Sequence, residues 1–314
     1  MNAMSQTNTQ TTPDPAEPDY HADVNEAVRA TAMLADVSIS LWGGERTDRA
    51  IMDRAKEDAG AVGNVGRAIK NLMSGADANL KTVRGAFTAV RSQHYAMTLP
   101  WVSDPHAERL RGPRLLPNML FDKYMMAMGA KKRAALYALD AFIDSYPADV
   151  VQAQANLAGL AVASGYPTPD EVRAAFRIGF DFEPVPMASS FAGLPDDTLA
   201  KLGAALGRKQ EFMLSGARAY MWAQVRDRLT HLVGRLADPE MVFKTGTIDN
   251  VRELVELLPG WNVGRDPRVE DVIARVERAV GHTDAASLRT DNALRAATVG
   301  RCRGLIALLD EWGV

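Results

Sequence analysis

The sequence predicts an α+β fold that is mostly helical. It has a small antiparallel sheet of about three strands, near 37–42, 94–101 and 177–183, and a long helix near 197–236. Three observations carry this reading. Period-2 alternation of apolar and polar residues is confined to three short segments far apart in the chain. Apolar stripes at three- and four-residue spacing fill most of the remainder. From Asp197 to Leu236 only scattered glycines interrupt a helical pattern.

Taken in order, residues 22–35 read as a helix with Val24, Val28, Ala32 and Ala35 on one face. VSISLW then alternates, with Val37, Ile39 and Leu41 on one side and Ser38 and Ser40 on the other, until Gly43-Gly44 ends it. Residues 47–59 read as a helix with Thr47 or Asp48 as N-cap. Gly60, Gly63 and Gly66 come next, and helices resume from about 65 to 90. In HYAMTLPW, Tyr95, Met97, Leu99 and Trp101 share one face, and Pro100 limits pairing because it has no N–H. Residues 117–145 form a helical candidate with Leu120, Tyr124, Met128, Leu136, Leu139 and Phe142 on a stripe, ended by Tyr146-Pro147. An alanine-rich helix over 148–163 and a short one over 169–176 lead to RIGFDFEPVP, where Ile178, Phe180 and Phe182 face one way. The open face of the sheet would carry Ser38, Ser40, His94, Thr98, Arg177 and Asp181.

A continuous helix of ~40 residues would span ~60 Å, either an arm or one half of a helical pair. Helices opening at Thr247 and at Asp266-Pro267, and a last one over 286–312, complete an all-helical C-terminal part. The expected domains are an acidic disordered tail (1–20), an α+β body (21–186) and a helical part (187–314) packed on the body or separate from it.

Composition is that of an ordinary globular chain, 47% hydrophobic and 24% charged. No apolar run approaches the ~20 residues of a membrane span, and the N-terminus has no secretory pattern. One cysteine, Cys302, excludes a disulfide framework within the chain and a multi-cysteine zinc site, and a cytoplasmic location is expected. The net charge of −3 conceals blocks. Residues 65–133 hold twelve bases against four acids, residues 140–199 nine acids against two bases, and residues 200–236 seven bases against two acids. Such blocks attract anionic partners, or opposite blocks on a neighbouring subunit.

Catalytic signatures are lacking. There is no GxxxxGK loop followed by Ser or Thr, no GxSxG elbow, and no paired histidines among His21, His94, His106, His231 and His282. The glycines at 60, 63 and 66 lack a preceding strand, so a connection between helices is the simpler reading than a phosphate loop beside Arg67. Asp196-Asp197 reads as a helix start favoured by the macrodipole. No cofactor, no metal and no enzymatic activity are expected. What remains is a basic edge interleaved with aromatics: Arg91, Trp101, Arg109, Arg111, Arg114, Lys123, Lys131, Lys132 and Arg133, with Tyr95, Phe121 and Tyr124 among them. Bases that neutralise phosphates beside rings that stack on nucleobases are the chemistry of single-strand binding, whereas the same rings turned inward are core.

The pieces SISLWGGERTDR (38–49), HYAMTLPWVSD (94–104), RLLPNMLFDKY (114–124), GYPTPDEVRAAFRIGFDFEPVP (165–186) and DNVRELVELLPGWN (249–262) run in that order. The ordered set resembles a family of tailed-phage and prophage proteins known as a domain of unknown function. The family pattern flanks the phenylalanine after PxP with an acid and an arginine; this chain has Ser190-Phe191-Ala192 there. The resemblance implies a phage or prophage accessory protein encoded with DNA metabolism, and transfers no active site. Two readings are open: an oligomeric single-stranded DNA-binding protein, or an oligomeric scaffold that docks a phage or host protein through charged helical faces.

Overall fold

Strand β1 (Ala32–Ser40) lies inside a four-stranded antiparallel sheet, and neither of its neighbours is close in sequence. In the computed structural model, which describes residues 28–63, 66–102, 112–160, 165–187, 193–238, 245–263, 265–281 and 283–313, the order is β4-β5-β1-β6. Strand β4 is Leu99–Pro100, β5 is Arg114–Pro117 and β6 is Arg177–Pro184. Ala32 to Ala35 pair with Pro117 to Arg114, and Met33 to Ser40 pair with Pro184 to Arg177. A small antiparallel sheet is therefore present as expected, with β5 added and the strand expected near 94–101 reduced to Leu99–Pro100. Its strand β1 starts five residues earlier than the alternation suggested, because the adjacent Leu34 and Ala35 are both buried and show no period.

A two-stranded ribbon, β2 (Glu45–Thr47) with β3 (Ile69–Asn71), encloses helix α1 (Arg49–Ala59). Asp48 caps α1 by accepting from the Ile51 N–H, and Gly60 ends it in the left-handed conformation at φ 61°. Gly60 thus terminates a helix, but the next element is β3 and not a continuous helical run from 65.

The largest correction concerns residues 94–97. Helix α2 (Ala78–Met97) buries Leu80, Val83, Phe87, Val90, His94 and Met97, a 3–4 spaced stripe that continues straight through the expected strand. Only Leu99–Pro100 pair as β4. His94 and Thr98, assigned to an open face, are fully buried. Ser38, Ser40, Arg177 and Asp181 are exposed as expected.

Helix α3 (Phe121–Leu157) merges two expected helices, with Pro147 inside it. Proline removes one helical donor, at a cost of ~3 kcal/mol in an isolated helix. Here the apolar face runs on from Phe142 and Tyr146 to Ala153, and Asn79 of α2 donates across the proline to both Ser145 and Asp149. Leu136, expected in the core, is 41% exposed; Ala135 takes that place. Short helix α4 (Pro169–Ala175) opens with a capping box between Thr168 and Glu171 and leads into β6.

Helix α5 (Asp196–Leu236) is the expected long helix, and it is one half of a helical pair. It buries Leu214, Met221, Val225, Leu229, Leu232 and Leu236. Helices α6 (Gly246–Trp261) and α9 (Asn292–Glu311) pack along it; α7 (Arg268–Val276) packs on α6 and α9, and α8 (Ala285–Thr290) on α9, with a π-helical turn at Glu277–Gly281. Buried Arg295 of α9 donates to the carbonyls of Leu236 and Arg235, which satisfies the end of α5. One hydrophobic core runs from Val28 to Leu309 through both the sheet and the C-terminal helices. Gly260 of α6 touches the side chain of Leu120 so closely that a Cβ would lie 2.6 Å from it.

Candidate interaction surface on helix α3

The residues of the expected basic edge separate on folding. Trp101 is only 6% exposed and belongs to the core, and Arg114 is 2% exposed within β5. Arg114 Nε donates to Thr98 Oγ1 and Nη2 to the Thr98 carbonyl, both at 2.7 Å, and its guanidinium lies between the rings of Tyr95 (4.9 Å) and Tyr220 (5.5 Å). Both side chains are thus corrected from surface to interior. The cause is Tyr220, brought from α5 to cover a cation that the local sequence leaves open. Tyr124 is buried as well, and its hydroxyl lies 2.9 Å from His94 Nδ1. No buried ring can stack on a nucleobase. Arg109 and Arg111, the tail, and Ser190 to Ala192 lie outside the described residues.

The other bases are on two helices. Arg91 is exposed on α2, and Lys131 and Arg133 are exposed on α3. Lys123 pairs with Glu256 at 2.6 Å, an exposed contact worth little. Lys132 is half-buried: its Nζ donates to the Ile178 carbonyl at 3.2 Å and lies 5.3 Å from the Phe180 ring. Successive residues on a helix point about 100° apart, so Lys131, Lys132 and Arg133 form no single patch.

Opposite its core face, α3 exposes a second seam. Met126 is 76% exposed, Tyr137 78% and Val151 67%, with Ala130, Arg133, Asp144 and Ala148 exposed between them. The positions 126, 130, 133, 137, 140, 144, 147 and 151 step by four and three alternately, the spacing at which one helix meets another along its length. This seam spans ~38 Å at 1.5 Å per residue. Of its charged positions, Arg133 precedes Tyr137, and Asp140 and Asp144 come after it. Along the whole helix Lys123, Lys131, Lys132 and Arg133, with Asp122, precede Tyr137, and Asp140, Asp144 and Asp149 follow. The border between the basic block and the acidic block therefore falls on this helix. Asp140 is engaged by Arg173 at 2.5 Å. Neither Arg133 nor Asp144 has an ion-pair partner among the described residues.

The sequence carries a signal for this seam. Once Tyr124, Met128, Leu139 and Phe142 are assigned to the core, Met126, Tyr137 and Val151 remain as large apolar residues on the opposite side.

Elsewhere, Cys302 is buried, and burial pushes its thiol up to about 11, as suits a packing residue. Among the described residues no three metal-ligating side chains converge, and no helix is long and apolar enough to cross a membrane. Comparisons with protein-family models, with curated proteins and with solved structures find no match. The fold thus defines a class, a mostly helical α+β protein, in which α3 exposes Met126, Tyr137 and Val151 among the described residues.

Proposed function

We propose that the protein is an oligomeric adaptor rather than an enzyme, and that it assembles through α3 of two copies packed antiparallel. The observation that carries this is the symmetry of the seam. Arg133 and Asp144 lie equally far either side of a point between Ala138 and Leu139, and so do Met126 and Val151. A two-fold axis through that point sets Arg133 of each copy against Asp144 of the other and Met126 against Val151. A self-complementary patch of this kind is what an isologous dimer requires. The burial of Trp101 and Tyr124 takes two of the four expected rings away from the surface, which weighs against the competing single-strand reading. The assembled protein would present its remaining charged faces to a phage or host protein, in keeping with the accessory role that the family resemblance implies.

Light scattering and sedimentation over a concentration series test the proposal. The wild type should dimerise. Arg133→Asp and Asp144→Arg should each weaken the dimer at least tenfold, about 1.4 kcal/mol. Mixing the two variants should restore association, because each chain then supplies the charge that the other lacks. A monomer at all concentrations, or single reversals without effect, would sink it.

One observation favours a second reading, binding of a polyanion backbone without base stacking. An open groove of about 440 Å³ between α2 and α3 is lined by Gly85, Thr88, Ser92, Ala96 and Lys131, with Arg91 exposed on the same helix. Small side chains and flanking bases suit a phosphate backbone. Fluorescence polarisation with labelled single-stranded DNA across salt decides it. Binding that weakens with salt and with Arg91→Glu supports this reading, and no binding at low salt excludes it.

A further inference from the structure

A second cleft lies away from the α3 seam, between the β2–β3 ribbon and the chain that comes after α3. Its inner lobe, about 390 Å³, is lined by Arg46, Asp48, Arg49, Lys70, Leu72 and Tyr166 among others. An outer lobe of about 470 Å³ shares Arg46, Leu72 and Tyr166, and adds Trp42, Glu45 and Glu171. The two lobes thus adjoin along Arg46, Leu72, Gly165 and Tyr166.

The inner lobe is cationic. Lys70 and Asp48 form a mostly buried pair at 2.5 Å, and the Lys70 hydrogen bond holds the Asp48 carboxyl below its usual range, so the two charges cancel. That leaves Arg46 and Arg49. Arg46 reaches across the cleft and donates Nη1 to the Gly165 carbonyl at 2.9 Å, which fixes its guanidinium while its other donors stay available to a ligand. Arg49 is exposed at the first position of α1 and has no ion-pair partner among the described residues. The rest of the lining is amphipathic. The Tyr166 hydroxyl is buried without a hydrogen-bond partner among the described residues, a donor whose burial costs free energy until something accepts from it. Trp42 is half-buried in the outer lobe, its inner side packed on Phe142 and Tyr146. Of the two outer carboxylates, Glu171 is committed to the Thr168 N–H and hydroxyl, leaving Glu45 as the acceptor for a ligand.

We infer that this cleft binds a small phosphate ester of mononucleotide size. Its phosphate would lie in the inner lobe on Arg46 and Arg49, and its ring or sugar in the outer lobe against Trp42, with Glu45 accepting from hydroxyl or amino groups. Two guanidiniums at one position favour phosphate, whose oxygens they can engage in pairs. A half-exposed indole beside them favours a ligand with a flat or apolar body. This inference does not rest on the α3 dimer, since none of its residues lies on that seam.

Isothermal titration of the full chain with a nucleoside monophosphate, the matching nucleoside, ribose 5-phosphate and inorganic phosphate tests it. The monophosphate should bind at sub-millimolar concentration, at least tenfold tighter than the nucleoside or inorganic phosphate. Arg49→Glu should weaken it tenfold or more while leaving the melting temperature unchanged, since Arg49 is an exposed side chain outside the core. Trp42→Leu should bring the monophosphate and ribose 5-phosphate to similar affinity. Absence of monophosphate binding at millimolar concentration overturns the inference. So does equal affinity for nucleoside and monophosphate, or insensitivity to Arg49→Glu.

Discussion

Trp261 donates its indole N–H to the main-chain oxygen of Met97 at 3.2 Å, joining the end of α6 to the end of α2 across 164 positions of sequence. The bond is buried, and Trp261 is among the largest fully enclosed side chains. Trp261→Phe should cost about 1–3 kcal/mol, since it leaves the Met97 carbonyl without its donor. Because the core is continuous from the sheet to α9, near-UV and far-UV circular dichroism should report one coincident urea transition in both proteins. Two separated transitions would show instead that the C-terminal helices fold as a unit of their own.

His94 gives the fold a dependence on mildly acidic pH. Burial first, and then the charge of Arg114, lower its pKa to about 4. Among the described residues the ring lies against Tyr95 and Tyr124, and Nδ1 is 2.9 Å from the Tyr124 hydroxyl. In the unfolded chain the same group titrates near ~6.5. Between these values the unfolded state binds the extra proton. The stabilisation is therefore complete above ~6.5 and is lost progressively as pH falls through about 4. The loss should approach about 3 kcal/mol. Urea midpoints between pH 4 and 7 should show it, and His94→Gln should flatten that window.

Arg114 is held by geometry as much as by charge. Its planar fork reaches both acceptors of Thr98 while its faces meet Tyr95 and Tyr220. An ammonium cannot do both. Arg114→Lys should lower stability by about 2 kcal/mol or more, read as a drop in the urea midpoint. It should leave dimerisation through α3 unchanged, which separates its role from that of Arg133.

The readable parts of the sequence are those where one element's own pattern decides the outcome. The stripe from Leu214 to Leu236 and the alternation from Ile178 to Phe182 need no distant information. The segment around His94 misleads because Met97, Thr98, Leu99, Pro100 and Trp101 are all buried, so that alternation there distinguishes no faces. RLLP at 114–117 is buried throughout, and a short run without period does not reveal whether it is strand or helix. Pro147 resembles a helix end because the side chains that span it, Asn79 above all, come from another helix. The candidate surfaces divide in the same way. The charge blocks are visible in the sequence, and the inward turn of Arg114 is not, since it depends on a tyrosine more than a hundred positions away.

Strand β1 also sets a constraint on synthesis. Both strands that flank it lie downstream, and the one with the longer register begins at Arg177. At roughly 5–20 residues per second, a ribosome takes on the order of ten seconds to make the roughly 140 residues that separate them. For much of that interval β1 can pair only with β5, which reaches it over Ala32–Ala35, and the edge that β6 will cover keeps its backbone groups unsatisfied. Folding of the N-terminal third is thus scheduled by the arrival of residues 177–184, and this is the stage at which a holdase would find its site.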